Sequence, residues 1–319
     1  MFLANHAEYT VAVTTTMRRR EALALLAGPV RAMPRPKGML VDTHIHLFAS
    51  DQARFPYHTR ATYKPPAQPL EIYLKFLAAS RIDHTIIVHP EPYQDDHRYL
   101  EYCFEHEPSR GFFKGTCLFD PTDPATPHHM EGLVKRHPKR IVALRIHVNR
   151  AKTAPPTTGG AIRDRDLRHP QMKKTWEAAG RLGLSIQMHF IPCWAQQIGE
   201  LASGLRDTPV ILDHLARAGQ GLATEYDEVL KLARLPRVYM KFSGVRYSSK
   251  QGHPYADARP LVRRTFDAFG PDRMIWGGLG HSMEDFEKAV EVFETMFAFA
   301  SESDRAKIRG LNAARLFDF

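Results

Sequence analysis

Two histidines separated by one residue, His44 and His46, are the first residues of the sequence that could carry chemistry. They lie in the segment MLVDTHIHLF, residues 39–48, behind apolar residues that are typical of the end of a buried strand. In an extended chain the side chains of residues i and i+2 point to the same face. Both imidazoles are therefore expected to face one space, and imidazole is a common ligand of zinc and related divalent ions.

Apolar runs that suit strands alternate with helical patterns from this segment to the C-terminus. The first helical pattern is the stripe Leu70, Tyr73, Leu74 and Leu77, which has the spacing of an amphipathic helix. Further helical patterns include residues 97–107, 128–138 and 171–183. The strand-like apolar runs cover residues 84–90, 111–121, 141–148, 184–190, 209–215, 238–244 and 273–278.

This alternation defines the expected α/β fold. Strands joined by helical crossovers predict a parallel sheet, and eight of them predict a (β/α)8 TIM barrel that covers residues 39–319 as a single domain. An open doubly wound sheet is the structural alternative, although the sequence has no GxGxxG or Walker-type glycine loop. The last helical segments can pack on the barrel or on a second subunit, so the oligomeric state stays open.

In such a barrel the chemistry lies at the carboxyl ends of the strands. A lone histidine on an apolar strand is more often a hydrogen-bonded core residue than a ligand. Four histidines from three strands at the same end instead favour a functional site, and a catalytic zinc commonly has three protein ligands and an open position for water. The polar residues at the predicted strand ends are His44, His46, His89, Glu91, Asp120, Arg145, His147, His189, Asp213, His214, Arg217, Lys241 and Ser243.

The composition excludes several classes of protein. The chain has 319 residues, 43% of them hydrophobic, and no apolar run approaches the roughly 20 residues of a membrane span. Of the net charge of +9, residues 1–38 contribute +4 from six Lys or Arg and two Glu, and the remainder forms no basic block interleaved with aromatics. A nucleic-acid partner is therefore not predicted, whereas a small anionic substrate is. The three cysteines lack CxxC spacing, which argues against a thiolate zinc site.

Residues 1–38 differ from the rest of the sequence. Arg18, Arg19 and Arg20 precede a short apolar run, and a Val-x-Ala sequence and prolines follow. These are the parts of an export signal, and the paired arginines resemble the twin-arginine type. The sequence predicts either export to the periplasm, with residues 1–38 as the signal, or a disordered basic extension of a cytoplasmic protein.

Five short motifs occur in a fixed order along the chain: VDTHIH, MHF, LDHLAR, RMIWGG and LNAARLF. Together they resemble the amidohydrolase-related (amidohydrolase 2) family, a branch of the amidohydrolase superfamily that includes lactone hydrolases of the 2-pyrone-4,6-dicarboxylate lactonase type and metal-dependent decarboxylases. The resemblance runs from about residue 39 to the C-terminus. It implies a TIM barrel of the metal-dependent-hydrolase type.

The resemblance also implies catalytic roles for four histidines. His44, His46 and His189 correspond to metal-site histidines, and His189 is also expected to act in catalysis. His214 corresponds to the histidine near the substrate that assists proton transfer. The implied cofactor is one divalent metal, zinc or manganese, and metal-independent activity is the alternative.

Three basic residues are expected to contact the substrate. By the resemblance, Arg145 matches a strand-4 basic position where a guanidinium can bind a substrate carboxylate through two hydrogen bonds. Lys241 can act in the same way as a point charge, and Arg217 follows strand 6 at the same end of the barrel. For Arg145 a salt bridge inside the barrel is the alternative interpretation.

The sequence departs from the family pattern after strand 8. The family usually has Trp-Gly-Ser-Asp there, whereas this chain has Trp276, Gly277, Gly278 and Leu279. The aspartate is the expected metal ligand and the base that takes a proton from the attacking water. Leucine can do neither.

Three functions stay open for a chain with this departure. The first is a hydrolase that opens a lactone or similar ester-like bond of a small carboxylated substrate, with His214, Glu91 or Asp120 activating water. The second is metal-dependent decarboxylation of an unsaturated or aromatic acid, which needs no such base. The third is a barrel that binds a small acid without turnover. The sequence favours the hydrolase.

Overall fold

Eight parallel strands form one sheet in which each strand pairs with the next along the chain, from β1 to β8. The computed structural model describes residues 38–205, 207–280 and 282–319. Because β1 also contacts β8, the sheet is a nearly closed barrel. The predicted (β/α)8 barrel is thus confirmed, and the open sheet is wrong. The strands are β1 Val41–Ile45, β2 His84–Ile87, β3 Phe113–Cys117, β4 Ile141–Val148, β5 Ser185–Phe190, β6 Val210–Leu212, β7 Val238–Phe242 and β8 Met274–Trp276.

Helices surround the barrel and bury their apolar faces against the outward side chains of the strands. This packing explains why the strands read as continuous apolar runs, since both faces of a parallel sheet are covered. Each predicted helix is present, with ends that differ by a few residues. The helices are α1 Leu70–Ser80, α2 Arg98–Glu105, α3 Thr126–Arg136, α4 Pro170–Arg181, α5 Ala195–Ser203, α6 Ala223–Lys231, α7 Arg259–Phe269, α8 Met283–Met296, α9 Glu302–Ala306 and α10 Asn312–Phe317.

The interior of the barrel is apolar at the amino ends of the strands. Two residues of the C-terminal segment, Ala313 and Phe317, join the interior side chains and close this end. The C-terminal helices therefore pack on the barrel itself. The interior side chains in contact are Val41, Ile86, Val88, Val142, Ile211, Tyr239 and Ile275.

The first strand begins and ends later than the sequence suggested. The apolar residues 39–41 were expected to end it, but β1 extends to Ile45, so His44 lies within the strand and His46 directly follows it. The extension arises because pairing with β2 continues, Ile45 being the register partner of Ile87. The register shifts between Asp42 and Ile45.

The predicted N-terminal signal or extension, residues 1–38, lies outside the described residues except for Gly38. Among the helices that the structure describes, none combines the length and the apolar character needed to cross a bilayer.

Candidate active site

His44 and His46 meet at the carboxyl end of the barrel, as their spacing predicted. Their Nε2 atoms lie 3.3 Å apart. Nδ1 of His46 lies 2.7 Å from the carbonyl oxygen of Val88, and because a carbonyl only accepts, this Nδ1 carries the proton. The Nε2 lone pair of neutral His46 therefore points at His44. A backbone carbonyl that fixes the tautomer in this way is typical of metal-binding histidines.

Four imidazoles of this region, those of His44, His147, His189 and His214, have pKa values below the ordinary value and are neutral at neutral pH. Burial lowers the pKa of His44, His147 and His189 well below the ordinary value, and nearby positive charges lower it further. Burial also lowers the pKa of His214, to about 3, although the carboxylate of Asp213 acts in the opposite direction. Neutral imidazoles keep a lone pair that can bind a metal or accept a proton.

Below the histidines lies a charged layer of four buried residues, Arg145, Gln187, Asp213 and Lys241. Asp213 Oδ2 accepts hydrogen bonds from Arg145 Nε at 3.2 Å and Gln187 Nε2 at 3.0 Å. Lys241 Nζ lies 3.2 Å from Asp213 Oδ1 and donates to the carbonyl of Thr43 at 3.0 Å. Burial alone would raise the pKa of Asp213, but Lys241 and Arg145 outweigh it and hold the pKa below its ordinary value. Two cations therefore share one carboxylate.

The charged layer bears directly on two of the predicted substrate contacts. Arg145 makes the salt bridge that was its alternative interpretation, and Lys241 is fully buried on the same carboxylate. Direct contact of either residue with a substrate stays a prediction, and it requires the pairing with Asp213 to loosen. What both residues do in this structure is keep positive charge beneath the histidines.

His214 and Arg217 are presented by an unusual turn after β6. Residues 214–217 all have positive φ, between 51° and 56°. This left-handed conformation costs a non-glycine residue about 1–2 kcal/mol, and such strain tends to cluster at active sites. Burial of Leu215 and Ala216 helps to hold the turn. His214 Nδ1 lies 2.8 Å from Ser243 Oγ, so the hydroxyl fixes the orientation of the ring.

His189 is held by two neighbours. Arg217 NH1 lies 2.8 Å from His189 Nε2, and because a guanidinium only donates, this nitrogen is the acceptor. On the other side of the ring, Asn149 Nδ2 lies 3.4 Å from His189 Nδ1. The structure therefore brings His44 and His46 together but places a guanidinium where His189 would bind a metal. Its predicted role as third ligand stays a prediction that requires Arg217 to move.

The strand-8 segment is joined to β1 by its backbone. Asp42 Oδ1 accepts hydrogen bonds from the N–H groups of His44 and Gly278, each at 2.9 Å. The N–H of Leu279 donates to the carbonyl of His44 at 3.1 Å, and Leu279 has a left-handed φ of +61°. Gly277 must lack a side chain, since a Cβ there would lie 2.7 Å from the Cβ of His44. The segment thus fixes the position of His44 without supplying a carboxylate.

The donor atoms present fit a divalent metal. Two ligands of a tetrahedral zinc at 2.0–2.1 Å are about 3.3 Å apart, which is the separation of the Nε2 atoms of His44 and His46. A second possible group consists of His44, Asp213 and His214, whose ligand atoms all lie within 4.8 Å of one another. In it, His44 Nδ1 is buried without a hydrogen-bond partner among the described residues and lies 3.7 Å from Asp213 Oδ1, the oxygen that pairs with Lys241. His44 is common to both arrangements.

The other two candidates for activating water are engaged elsewhere. Glu91 accepts a hydrogen bond from Thr62 at 3.0 Å and lies 3.6 Å from Arg163. Asp120 pairs with Arg165 at 2.7 Å, and its hydrogen bonds outweigh burial and lower its pKa. Of the three predicted candidates, His214 is the one in contact with the histidine cluster, its ring centroid lying 4.5 Å from that of His44.

A cleft of about 600 Å³ opens beside the histidines, between the segments that follow β1, β7 and β8 and the helix α8. Its inner end is lined by His46, Ser243 and Gly278. This volume is within the usual range for small-molecule sites, roughly 300–1,000 Å³. The reacting groups thus have an accessible space of suitable size.

Sequence reasoning did not assign roles to Asp42, Asn149 or Gln187, and it named Asp213 and Ser243 only by their position at strand ends. Asp42 had a detectable signal, since it precedes His44 by two residues in the same strand. The other contacts depend on which strands become neighbours in the barrel.

Comparison with known proteins identifies the family of the chain. A family model with the description amidohydrolase matches residues 41–319. The chain therefore belongs to the amidohydrolase family. The chain is accordingly a hydrolase of this family, as its motifs indicated.

Two relatives are 4-sulfomuconolactone hydrolases. The one from Hydrogenophaga intermedia is 27% identical over 285 residues, which cover 86% of this chain and 88% of that protein. The one from Rhizobium radiobacter is 29% identical over 250 residues, which cover 76% of this chain and 75% of that protein. Both relatives are named for hydrolysis of a lactone.

Solved structures support the fold. A 2-pyrone-4,6-dicarboxylic acid hydrolase-like protein of Pseudomonas putida has a TM-score of 0.69 at 23% identity, covering 88% of this chain and 97% of its own. An amidohydrolase of Burkholderia multivorans, solved with zinc bound, has a TM-score of 0.66 at 14% identity, covering 88% of this chain and 100% of its own. At these identities the likeness shows the barrel alone.

Proposed function

We propose that this protein opens the lactone ring of a small acid by attack of water on the lactone carbonyl. The observation that carries the proposal is the cluster of the imidazoles of His44, His46 and His214, which lies above a charged layer with excess positive charge and in which His46 lines an accessible cleft. The names of the two relatives support the choice of a lactone as substrate.

In the proposed mechanism, His44 and His46 polarise the carbonyl oxygen. His214 takes the proton of the attacking water and returns it to the alkoxide that leaves when the ring opens. Its neutral state at neutral pH is the state that a base requires. Ser243, hydrogen-bonded to Nδ1, orients the ring. The positive charge of Arg145 and Lys241 beneath the cluster stabilises the oxyanion that forms during attack.

We also propose that one divalent metal, zinc or manganese, binds at His44 and His46, with Asp213 and His214 as the other possible ligands. Such a metal would polarise the carbonyl and lower the pKa of bound water. The donor set of imidazoles and one carboxylate suits either ion. The structure of the Burkholderia multivorans amidohydrolase, solved with zinc, supports a metal in this family.

The test is hydrolysis of a panel of muconolactones and pyrone carboxylates by the wild type and by His214→Asn. Asparagine tolerates the left-handed conformation at this position better than other residues do. The substitution is therefore expected to keep the fold while lowering kcat by about 10²–10⁴, the usual share of a general base. His106→Asn, at an exposed position at the end of α2, is the matched control and should hydrolyse the panel at the wild-type rate.

The reaction products distinguish the three candidate functions. Ring-opened hydroxy acids from the wild type and their loss in His214→Asn support the proposal. Release of carbon dioxide from an unsaturated or aromatic acid would instead indicate a decarboxylase, and thermal stabilisation by acids with no product would indicate a binding barrel. Wild-type rates in His214→Asn would refute the assignment of the base.

For residues 1–38 the proposal is that they direct export through the arginines at 18–20. Fused to a reporter enzyme that works only after twin-arginine export, the segment should confer reporter activity. Replacing Arg19 and Arg20 by lysine should abolish it. Equal activity of both fusions would contradict the proposal.

A further inference from the structure

The cleft extends well beyond the reacting groups, and its walls change character along its length. The less exposed part of the lining consists of the apolar side chains of Val245, Leu279, Ala289 and Val292. Leu279 stands where the family usually has aspartate, so the departure at strand 8 turns a charged position into part of an apolar wall. This stretch of the cleft suits a hydrocarbon segment.

The outer end of the cleft carries positive charge. Arg246, His253 and Lys288 line it, together with Asp285. Lys288 already pairs with Glu284 at 2.5 Å. His253 lies 3.5 Å from a carboxylate oxygen of α8. These two groups therefore have partners of opposite charge.

Arg246 differs from these neighbours. Its guanidinium donates to the hydroxyl of Tyr247 at 2.9 Å and lies 4.8 Å from the centre of the Tyr247 ring. Within residues 38–205, 207–280 and 282–319, no carboxylate lies within ion-pair distance of Arg246. The side chain is exposed at the cleft, so an anion that enters can reach it.

The two basic residues of the charged layer cannot bind an acidic group at this end of the cleft. Arg145 and Lys241 are held by Asp213 and do not line the cleft. An acidic group on a substrate that occupies the cleft must therefore be recognised by other residues. Among the described residues that line the cleft, Arg246 is the cation without a carboxylate at ion-pair distance.

We infer that the cleft binds an apolar arm of the substrate that ends in an acidic group, and that Arg246 pairs with this group. This inference rests on the proposed function, because it places the lactone ring at the histidines. It defines the substrate class as a lactone with a hydrocarbon arm and a terminal carboxylate or sulfonate. Arg246 is then a specificity-determining residue, and Ala289 sets the space for the arm.

The experiment compares four probes: an unsubstituted butenolide, a butenolide with a pentanoate arm, its methyl ester, and the corresponding sulfonate. In Arg246→Met, kcat/KM for the pentanoate should fall at least about tenfold relative to the methyl ester, as expected for loss of a charge-assisted hydrogen bond. A similar loss with the sulfonate would show recognition of charge, and a loss confined to the pentanoate would show recognition of a carboxylate. Both outcomes support the role of Arg246.

Ala289→Phe tests whether the cleft holds the hydrocarbon arm of the substrate. It should lower kcat/KM for the armed probes at least about tenfold relative to the unsubstituted butenolide, because the added ring overfills the cleft. Arg263→Met is the control, since Arg263 pairs with Asp267 on the exposed face of α7 and does not line the cleft. Unchanged selectivity in both Arg246→Met and Ala289→Phe would overturn the inference.

A second measurement distinguishes failure of the proposed lactone hydrolysis from failure of the proposed anion contact. If the wild type opens none of the probes, calorimetry still measures how tightly the cleft binds the intact pentanoate lactone. At least about tenfold weaker binding by Arg246→Met would support the anion contact without lactone hydrolysis. Equal binding by the two proteins would overturn it.

Discussion

The two ends of the barrel differ in how completely their buried polar groups are hydrogen-bonded. At the amino end, Lys114 donates to the carbonyls of Phe317 and Asp318, and Glu107 accepts from Arg140 and from two backbone N–H groups. At the carboxyl end, several buried polar atoms have no hydrogen-bond partner among the described residues. These are His44 Nδ1, His147 Nε2 and Asn149 Oδ1.

The difference indicates which end stabilises the fold and which end binds a ligand. A buried polar atom without a partner costs about 1–3 kcal/mol, and a strained turn at residues 214–217 adds to this cost. Such costs persist where a substrate or metal supplies the missing partner. At the amino end Lys114 and Glu107 are satisfied, and His84 Nδ1 is the comparable atom, so the contrast lies in the clustering of such atoms at the carboxyl end.

The largest effect is expected from Asp213→Ala in the charged layer. The substitution leaves Arg145 and Lys241 buried without a counter-charge, and the loss of one partner of a buried ion pair costs about 3–5 kcal/mol. Urea unfolding should show this loss, together with loss of lactone hydrolysis. Asp267→Ala, which breaks an exposed pair with Arg263, should change stability by less than about 1 kcal/mol. Equal stabilities of the two variants would contradict the account.

A smaller effect on stability but a large one on activity is expected from Gly277→Ala. The added Cβ would lie 2.7 Å from the Cβ of His44, and neither atom belongs to a flexible side-chain end. Displacement of His44 by about 1 Å is expected to lower kcat/KM about a hundredfold, and overpacking should cost about 1–3 kcal/mol.

A glycine of helix α3 is the control for this substitution. A Cβ at Gly132 meets only Arg136 NH1, at 3.8 Å. Gly132→Ala should therefore keep full activity and raise stability by about 0.5–1 kcal/mol, because alanine is the better helix former. Wild-type kinetics of Gly277→Ala would show that the strand-8 segment does not position His44.

The smallest effect on activity belongs to the amino end, where a substitution should change only stability and its pH dependence. Burial would raise the pKa of Glu107, but Arg140 and the N–H groups of Phe113 and Gly111 outweigh it and lower the pKa. A lowered pKa in the folded state stabilises the fold above the pKa of the unfolded chain, and this contribution disappears as the pH falls through the folded value.

Glu107→Gln should therefore be less stable than the wild type by about 1–3 kcal/mol at pH 7, and the difference should shrink below about pH 4, the pKa of glutamate in an unfolded chain. Urea titrations of both proteins across this range measure it. Activity at pH 7 should not change, because Glu107 lies at the end opposite the site. A stability difference independent of pH would contradict the assigned role.

The barrel and the histidine pair were predictable because they follow from local patterns. Both faces of each strand are buried, so the strands appear as apolar runs, and His44 and His46 are close in sequence as well as in space. The family match then confirmed the class of protein. The ends of β1 were missed, since they depend on pairing with β2 rather than on the apolar residues of β1 itself.

The charged layer could not be derived in the same way. The approach of Arg145, Asp213 and Lys241 depends on the register between the strands from β4 to β7, which the sequence does not state. The left-handed turn at His214 also has no local signal, because none of its four residues is glycine. It is imposed by tertiary packing of Leu215 and Ala216.

The most direct test of the account is lactone hydrolysis by His44→Ala beside the wild type, with circular dichroism to confirm that both proteins are folded. His44 contacts His46, His214 and Asp213 and belongs to both possible metal groups. We expect the wild type to open a lactone of the panel. The variant, although folded, should lose at least about a hundredfold in kcat. A folded His44→Ala protein with wild-type kcat would contradict the central claim that the imidazole cluster carries the reaction.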